Sequence, residues 1–100
     1  NKKNEIRINV QDKGGKAELS INFLNAQQWK ISIPSKVEVY QDNKLKALWI
    51  PKDKISAESS IIKSNVSLTL EQGNNELTIV IWSGKHPKTA CDEIDIHNIN

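Results

Sequence analysis

Between Asn65 and Trp82 the chain alternates apolar and polar residues twice, with a glycine-bearing break in the middle. Val66, Leu68 and Leu70 take one parity against Ser67, Thr69 and Glu71. After Gln72-Gly73-Asn74-Asn75, Leu77, Ile79 and Ile81 take one parity against Thr78, Val80 and Trp82. A period of two belongs to strands that bury one face only. Gly and Asn in the break tolerate the positive φ of a tight reversal, and Gly73 is where a side chain would be penalised most. The spacing therefore predicts a β-hairpin with arms at Asn65 to Glu71 and Glu76 to Trp82, and the rest of the chain reads as strands added to it.

The same period recurs along the chain. Asn4 to Val10 sets Ile6, Ile8 and Val10 against Glu5, Arg7 and Asn9. Asp12-Lys13-Gly14-Gly15 reverses it, and Lys16 to Asn25, with Ala17, Leu19, Ile21 and Phe23 inward, is expected to pair with the first strand. Trp29 to Ile33 alternates again and stops at Pro34, which lacks a ladder donor. Lys36 to Gln41 sets Val37 and Val39 against Glu38 and Tyr40, and Asp42-Asn43-Lys44 turns into Leu45 to Ile50, closed by Pro51. Lys52 to Ser64 carries no sustained 3.6-residue pattern and reads as a loop with a short strand near Ile61. Ser83 to Thr89 is a loop, and Ala90 to His97 is a last strand with Asp92, Ile94 and Ile96 on one face. About eight short strands with turns at regular intervals predict an all-β, antiparallel β-sandwich (jelly roll). An OB-type barrel is the rival, in which Lys52 to Ser64 would be a helix.

One hundred residues suffice for a single β-sandwich domain over 1–100. With 14 basic and 12 acidic residues the net charge is +2, too weak a field to steer the chain to nucleic acid or an anionic membrane. No apolar run approaches the about 18 residues of a membrane span, so no membrane insertion is expected. The single Cys91 excludes an internal disulfide. Asn1 opens the chain without Met or a signal segment, which reads as a domain excised from a larger parent polypeptide or a mature chain.

The stretches "KAELSINFLNA", "KVEVYQDNKL", "VSLTLEQGNNELTIVIWSG" and "CDEIDIHNI" resemble the galactose-binding-like jelly rolls that serve as carbohydrate-binding modules beside glycoside hydrolases and in other surface enzymes. Leu70, Gly73, Asn75, Leu77, Ile79, Asp92, Ile94 and Ile96 occupy the places of the family's "vxLxxGxNxIxI" hairpin and closing "hxDxIxI" strand. The resemblance covers roughly residues 16–99 and rests on short, mostly structural motifs. It implies a non-catalytic module of a secreted or cell-surface protein that binds a polysaccharide or other glycan. Many such modules also hold a structural calcium. Asp92 matches the acidic position of the closing strand, whereas the N-terminal acidic pair is reduced to Glu5 alone, and the "VNG"-type hairpin reads Gln41-Asp42-Asn43.

Sugar recognition needs a ring to lie against the C–H face of a pyranose, with amides or carboxylates for its hydroxyls. Trp82 falls out of phase with Leu77, Ile79 and Ile81, and Tyr40 out of phase with Val37 and Val39, so both are expected on the outer face. Trp49, in "LKALWI", has no readable phase and is a further candidate. Trp29 is in phase with Ile31 and Ile33 and reads as core. Asn22, Asn25, Gln27, Gln28, Asn43 and Asn74 are the amides near turns, most of which are expected to satisfy turn backbone, and Asn43 and Asn74 are carried as site candidates. A nucleophilic site would draw on Cys91, His86, His97 and Asp92, but nothing in the sequence lowers the thiol pKa. His86, Cys91 and His97 match no zinc-ligand spacing. The lysines, notably Lys44, Lys46, Lys52, Lys54, Lys85 and Lys88, fall in turns and edges, where they oppose aggregation. Only if they gathered beside Trp49 and Tyr40 would they suit single-stranded nucleic acid. A structural or protein-binding β-sandwich without a sugar site is the main alternative.

Overall fold

The structure is a computed structural model that describes residues 2–24, 34–51, 61–83 and 93–99. They form seven strands: β1 Lys2–Asp12, β2 Gly15–Leu24, β3 Lys36–Gln41, β4 Lys44–Trp49, β5 Ile61–Leu70, β6 Gly73–Ser83 and β7 Glu93–Asn98. Two antiparallel sheets, of order β1-β6-β3-β4 and β5-β2-β7, face each other. The pairing is nested: β3 lies against β4, β2 against β5 and β1 against β6. That is a long hairpin rolled up on itself, the jelly-roll form of a β-sandwich. No helix occurs among the described residues. Trp29 to Ile33, the expected eighth strand, and most of the expected loops Lys52 to Ser64 and Ser83 to Thr89 lie outside them.

The alternation explains the layers. Ala17, Leu19 and Ile21 of β2, Val37 and Val39 of β3, Val66, Leu68 and Leu70 of β5, and Leu77, Ile79 and Ile81 of β6 form the buried cluster between the sheets. Each full burial of such a side chain contributes about 1.5–3 kcal/mol, which makes this face the main source of stability. Ile6, Ile8 and Val10 of β1 and Ile94 and Ile96 of β7 pack on the cluster but stay partly exposed, as edge positions do. The side chain of Phe23 is outside the described set.

Two expected pairings are overturned. β5 and β6 belong to different sheets, so residues 65–82 are not a hairpin, and β1 pairs with β6 rather than with β2. Both glycine turns are arches that carry the chain from one sheet to the other. An arch leaves the backbone groups at its corner without a ladder partner, and here a buried side chain supplies one. Asn75 Oδ1 accepts the Glu71 N–H at 2.9 Å, while Nδ2 donates to the Glu71 carbonyl at 2.9 Å and the Gly73 carbonyl at 3.2 Å. The same amide donates to the Val10 carbonyl at 3.4 Å, and its oxygen accepts Gln41 Nε2 at 3.1 Å, so it ties both arches and β3 together. The arches touch: a Cβ on Gly14, whose φ is +95°, would sit 3.3 Å from the Gln72 nitrogen.

The expected turn at Asp42-Asn43 is a true hairpin. Both residues have positive φ, 53° and 62°, and Gln41 pairs with Lys44, as in a two-residue type I′ loop. Several strands run longer than the pattern implied. β1 extends to Asp12 and β5 starts at Ile61, while β7 is described from Glu93.

Candidate functional site

The outer face of the four-stranded sheet carries the site. Register aligns three rows across β1, β6 and β3: Lys3, Trp82 and Lys36; Glu5, Val80 and Glu38; Arg7, Thr78 and Tyr40. Because β6 is central, its outward residues are flanked on both sides, and Val80 is buried although it faces away from the core. All of these but Lys36, which stands at the margin beside Trp82, line an open groove of about 320 Å³, together with Asn43 of the β3–β4 turn. The size is at the lower bound for small-ligand sites.

Trp82 alternates with buried Ile81 and stands on this face, half-buried. Its indole Nε1–H donates to Glu38 Oε1, and the Tyr40 hydroxyl donates to Glu38 Oε2 at 2.8 Å. Lys36 Nζ lies 4.9 Å and Lys3 Nζ 5.7 Å from the Trp82 ring centre, both within cation–π range. Lys3 also pairs with Glu5 at 3.5 Å. Burial pushes the Glu38 carboxyl up, but the donors Trp82 and Tyr40 and the ammoniums of Lys36 and Lys3 outweigh it, so its pKa falls below the ordinary value. The hydrogen bond to Glu38, followed by desolvation and the carboxylate's charge, raises the Tyr40 phenol above its ordinary value. The groove thus holds Glu38 as a carboxylate and Tyr40 as a neutral donor at neutral pH.

Of the residues predicted from sequence, Trp82, Tyr40 and Asn43 share this groove. Trp49 does not: it pairs with Val37 and packs on the core cluster, on the opposite face of the sheet. Asn74 shares the outer face but lies eight residues from Trp82 along β6, about 26 Å by strand rise, and accepts a hydrogen bond from Gln11 Nε2 at 3.2 Å. Asp92 lies outside the described residues. Among those described, no group of three or more His, Cys, Asp or Glu is arranged to hold a metal ion. His86 and Cys91 are also outside them, and His97 is exposed between Asp95, 3.3 Å away, and Glu18, 4.0 Å away. Tyr40 and Trp49 stand on opposite faces of the four-stranded sheet, and of the lysines considered beside them Lys52, Lys54, Lys85 and Lys88 lie outside the described residues. Lys44 and Lys46 are exposed on the edge strand β4, with a bulge beside them.

Sequence reasoning missed Lys3, Glu5, Arg7 and Glu38 as groove residues, and Lys36 as a cation beside the Trp82 ring. Their outward parity was legible, but only the pairing of β1 and β3 with β6 brings them beside Trp82. A larger depression of about 640 Å³ on the outer face of the other sheet, around Ser20, Asn22, Glu93 and His97, has no Trp, Tyr or Phe among its described lining residues. No protein family, curated protein or solved structure matches the chain.

Proposed function

We propose that this chain is a non-catalytic carbohydrate-binding module, of the galactose-binding-like kind, carried by a larger secreted or cell-surface protein. The observation that supports this reading is the outward Trp82 in a groove with Tyr40, Glu38 and Asn43. An aromatic ring beside fixed hydrogen-bonding groups is what a pyranose, apolar on its faces and polar at its rim, requires. Glu38 serves as a preset acceptor for sugar hydroxyls, and its bonds to Trp82 and Tyr40 fix the orientation of both side chains. Stacking a sugar on Trp82 displaces at least one lysine from the ring, at a cost of about 0.5–1 kcal/mol, so affinity for a single sugar is weak and longer chains bind better.

The test is a titration of intrinsic tryptophan fluorescence against a panel of polysaccharides. Saturable shifts with at least one glycan, abolished in Trp82→Ala while Trp49→Phe retains them, support the module. A second reading, a protein-binding sandwich, draws on β4, where Leu45 is 50%, Leu48 47% and the following Ile50 58% exposed. Silence across the whole glycan panel would leave that reading in place of the first.

A further inference from the structure

We infer that the groove takes a carboxylated glycan, a uronate-containing chain, with the sugar carboxylate on Arg7; this rests on the carbohydrate-binding reading above. The other charges of the groove are already engaged. Glu5 pairs with Lys3, and both Glu38 oxygens accept hydrogen bonds from Trp82 and Tyr40. Lys36 and Lys3 lie against the Trp82 ring. Among the described residues, Arg7 is the one ionic side chain lining the groove that has no hydrogen bond, ion pair or ring contact. Its guanidinium stands at the junction with an adjoining depression of about 280 Å³ that Asp42 and Glu76 also line, neither of them within ion-pair distance of it.

Geometry favours an anionic sugar over a neutral one at this point. Arg7 shares a row with Thr78 and Tyr40, two positions along the strand from Glu38, so a ring resting against Tyr40 has its substituents within reach of a planar fork of donors. A guanidinium binds a carboxylate through two parallel N–H bonds, a match no hydroxyl reproduces. A chain whose next unit meets Trp82 finds Lys3 and Lys36 there, and a second carboxylate turns the cations displaced from the ring into partners. Glu76 and Asp42 oppose the anion from the far side, which limits affinity without removing the preference.

The experiment measures retention of the full chain by affinity electrophoresis in polygalacturonate, alginate and hyaluronate, each beside its carboxyl-reduced neutral counterpart. At least one acidic polymer is expected to bind about tenfold to a hundredfold more tightly than its reduced form. Arg7→Gln should erase that difference, Glu76→Gln should enlarge it, and Lys63→Gln, which removes the same charge from the other sheet, should leave it. Equal or tighter binding of the neutral forms overturns the inference and leaves the carbohydrate reading standing. An equal loss in Lys63→Gln reduces the effect to general attraction of polyanions and also overturns it. Retention in none of the polymers, acidic or neutral, overturns the inference and counts against the carbohydrate reading as well.

Discussion

Glu38 is the residue on which the outer face turns, since both of its oxygens are committed, one to the indole of Trp82 and one to the hydroxyl of Tyr40. Desolvation raises its pKa and the two donors with the nearby ammoniums lower it further than that, so the folded value lies below the unfolded one. A depressed carboxyl contributes stability above its unfolded pKa and loses that contribution as pH falls through the folded pKa. A pH titration of the Trp82 indole N–H signal should therefore show its transition below the ordinary glutamate range, and Glu38→Gln should abolish it. A transition at the ordinary value would contradict the arrangement. At this scale the sequence was informative for Trp82 and Tyr40, whose parity against Ile81 and Val39 is unbroken. Trp49 was not legible for a physical reason. The register shift opposite Val39 and Tyr40 inserts one extra residue into β4, so Leu45 and Leu48, three apart, face the same side and simple alternation fails.

The strands were legible as elements, but their partners were not. Alternation reports which face of a strand meets the core, and a glycine turn reports that the chain reverses; neither distinguishes a hairpin from an arch. Gly73 and the pair Gly14-Gly15 supply positive φ in the arches, where Asp42 and Asn43 supply it in the hairpin. What separates them is the fate of the corner backbone, and in the arch from β5 to β6 that fate is the side chain of Asn75. Asn75→Ala leaves the Glu71 amide and at least one carbonyl without their side-chain partner at a half-buried corner. It should cost about 2–4 kcal/mol, read as a lowered urea midpoint with an unchanged slope. A loss under about 0.5 kcal/mol, the size of an ordinary surface change, would mean that water or another group replaces the amide without difficulty.

The nested pairing sets how the whole molecule forms and how its groove is assembled. Among the described strands only β3 and β4 are joined by a short hairpin, whereas β1 must find β6 across some sixty residues of chain, with Asp12 opposite Gly73. Topologies dominated by such distant pairs fold in about milliseconds to seconds, so stopped-flow refolding should resolve the main phase, and a microsecond relaxation would argue against this topology. The same long-range pairing explains why the β1 side of the groove escaped sequence reading: Lys3, Glu5 and Arg7 reach Trp82 only once β1 has docked along β6. The proposed function puts Trp82 on an open glycan-binding groove and Trp49 against the core cluster. Its most direct test follows the indole N–H resonances of the three tryptophans, assigned by single Trp→Phe replacements, as a polysaccharide panel is titrated in. The account predicts that a binding glycan moves the Trp82 signal progressively and leaves the Trp49 signal in place. A panel in which no glycan moves the Trp82 signal, or in which Trp49 alone responds, would contradict it.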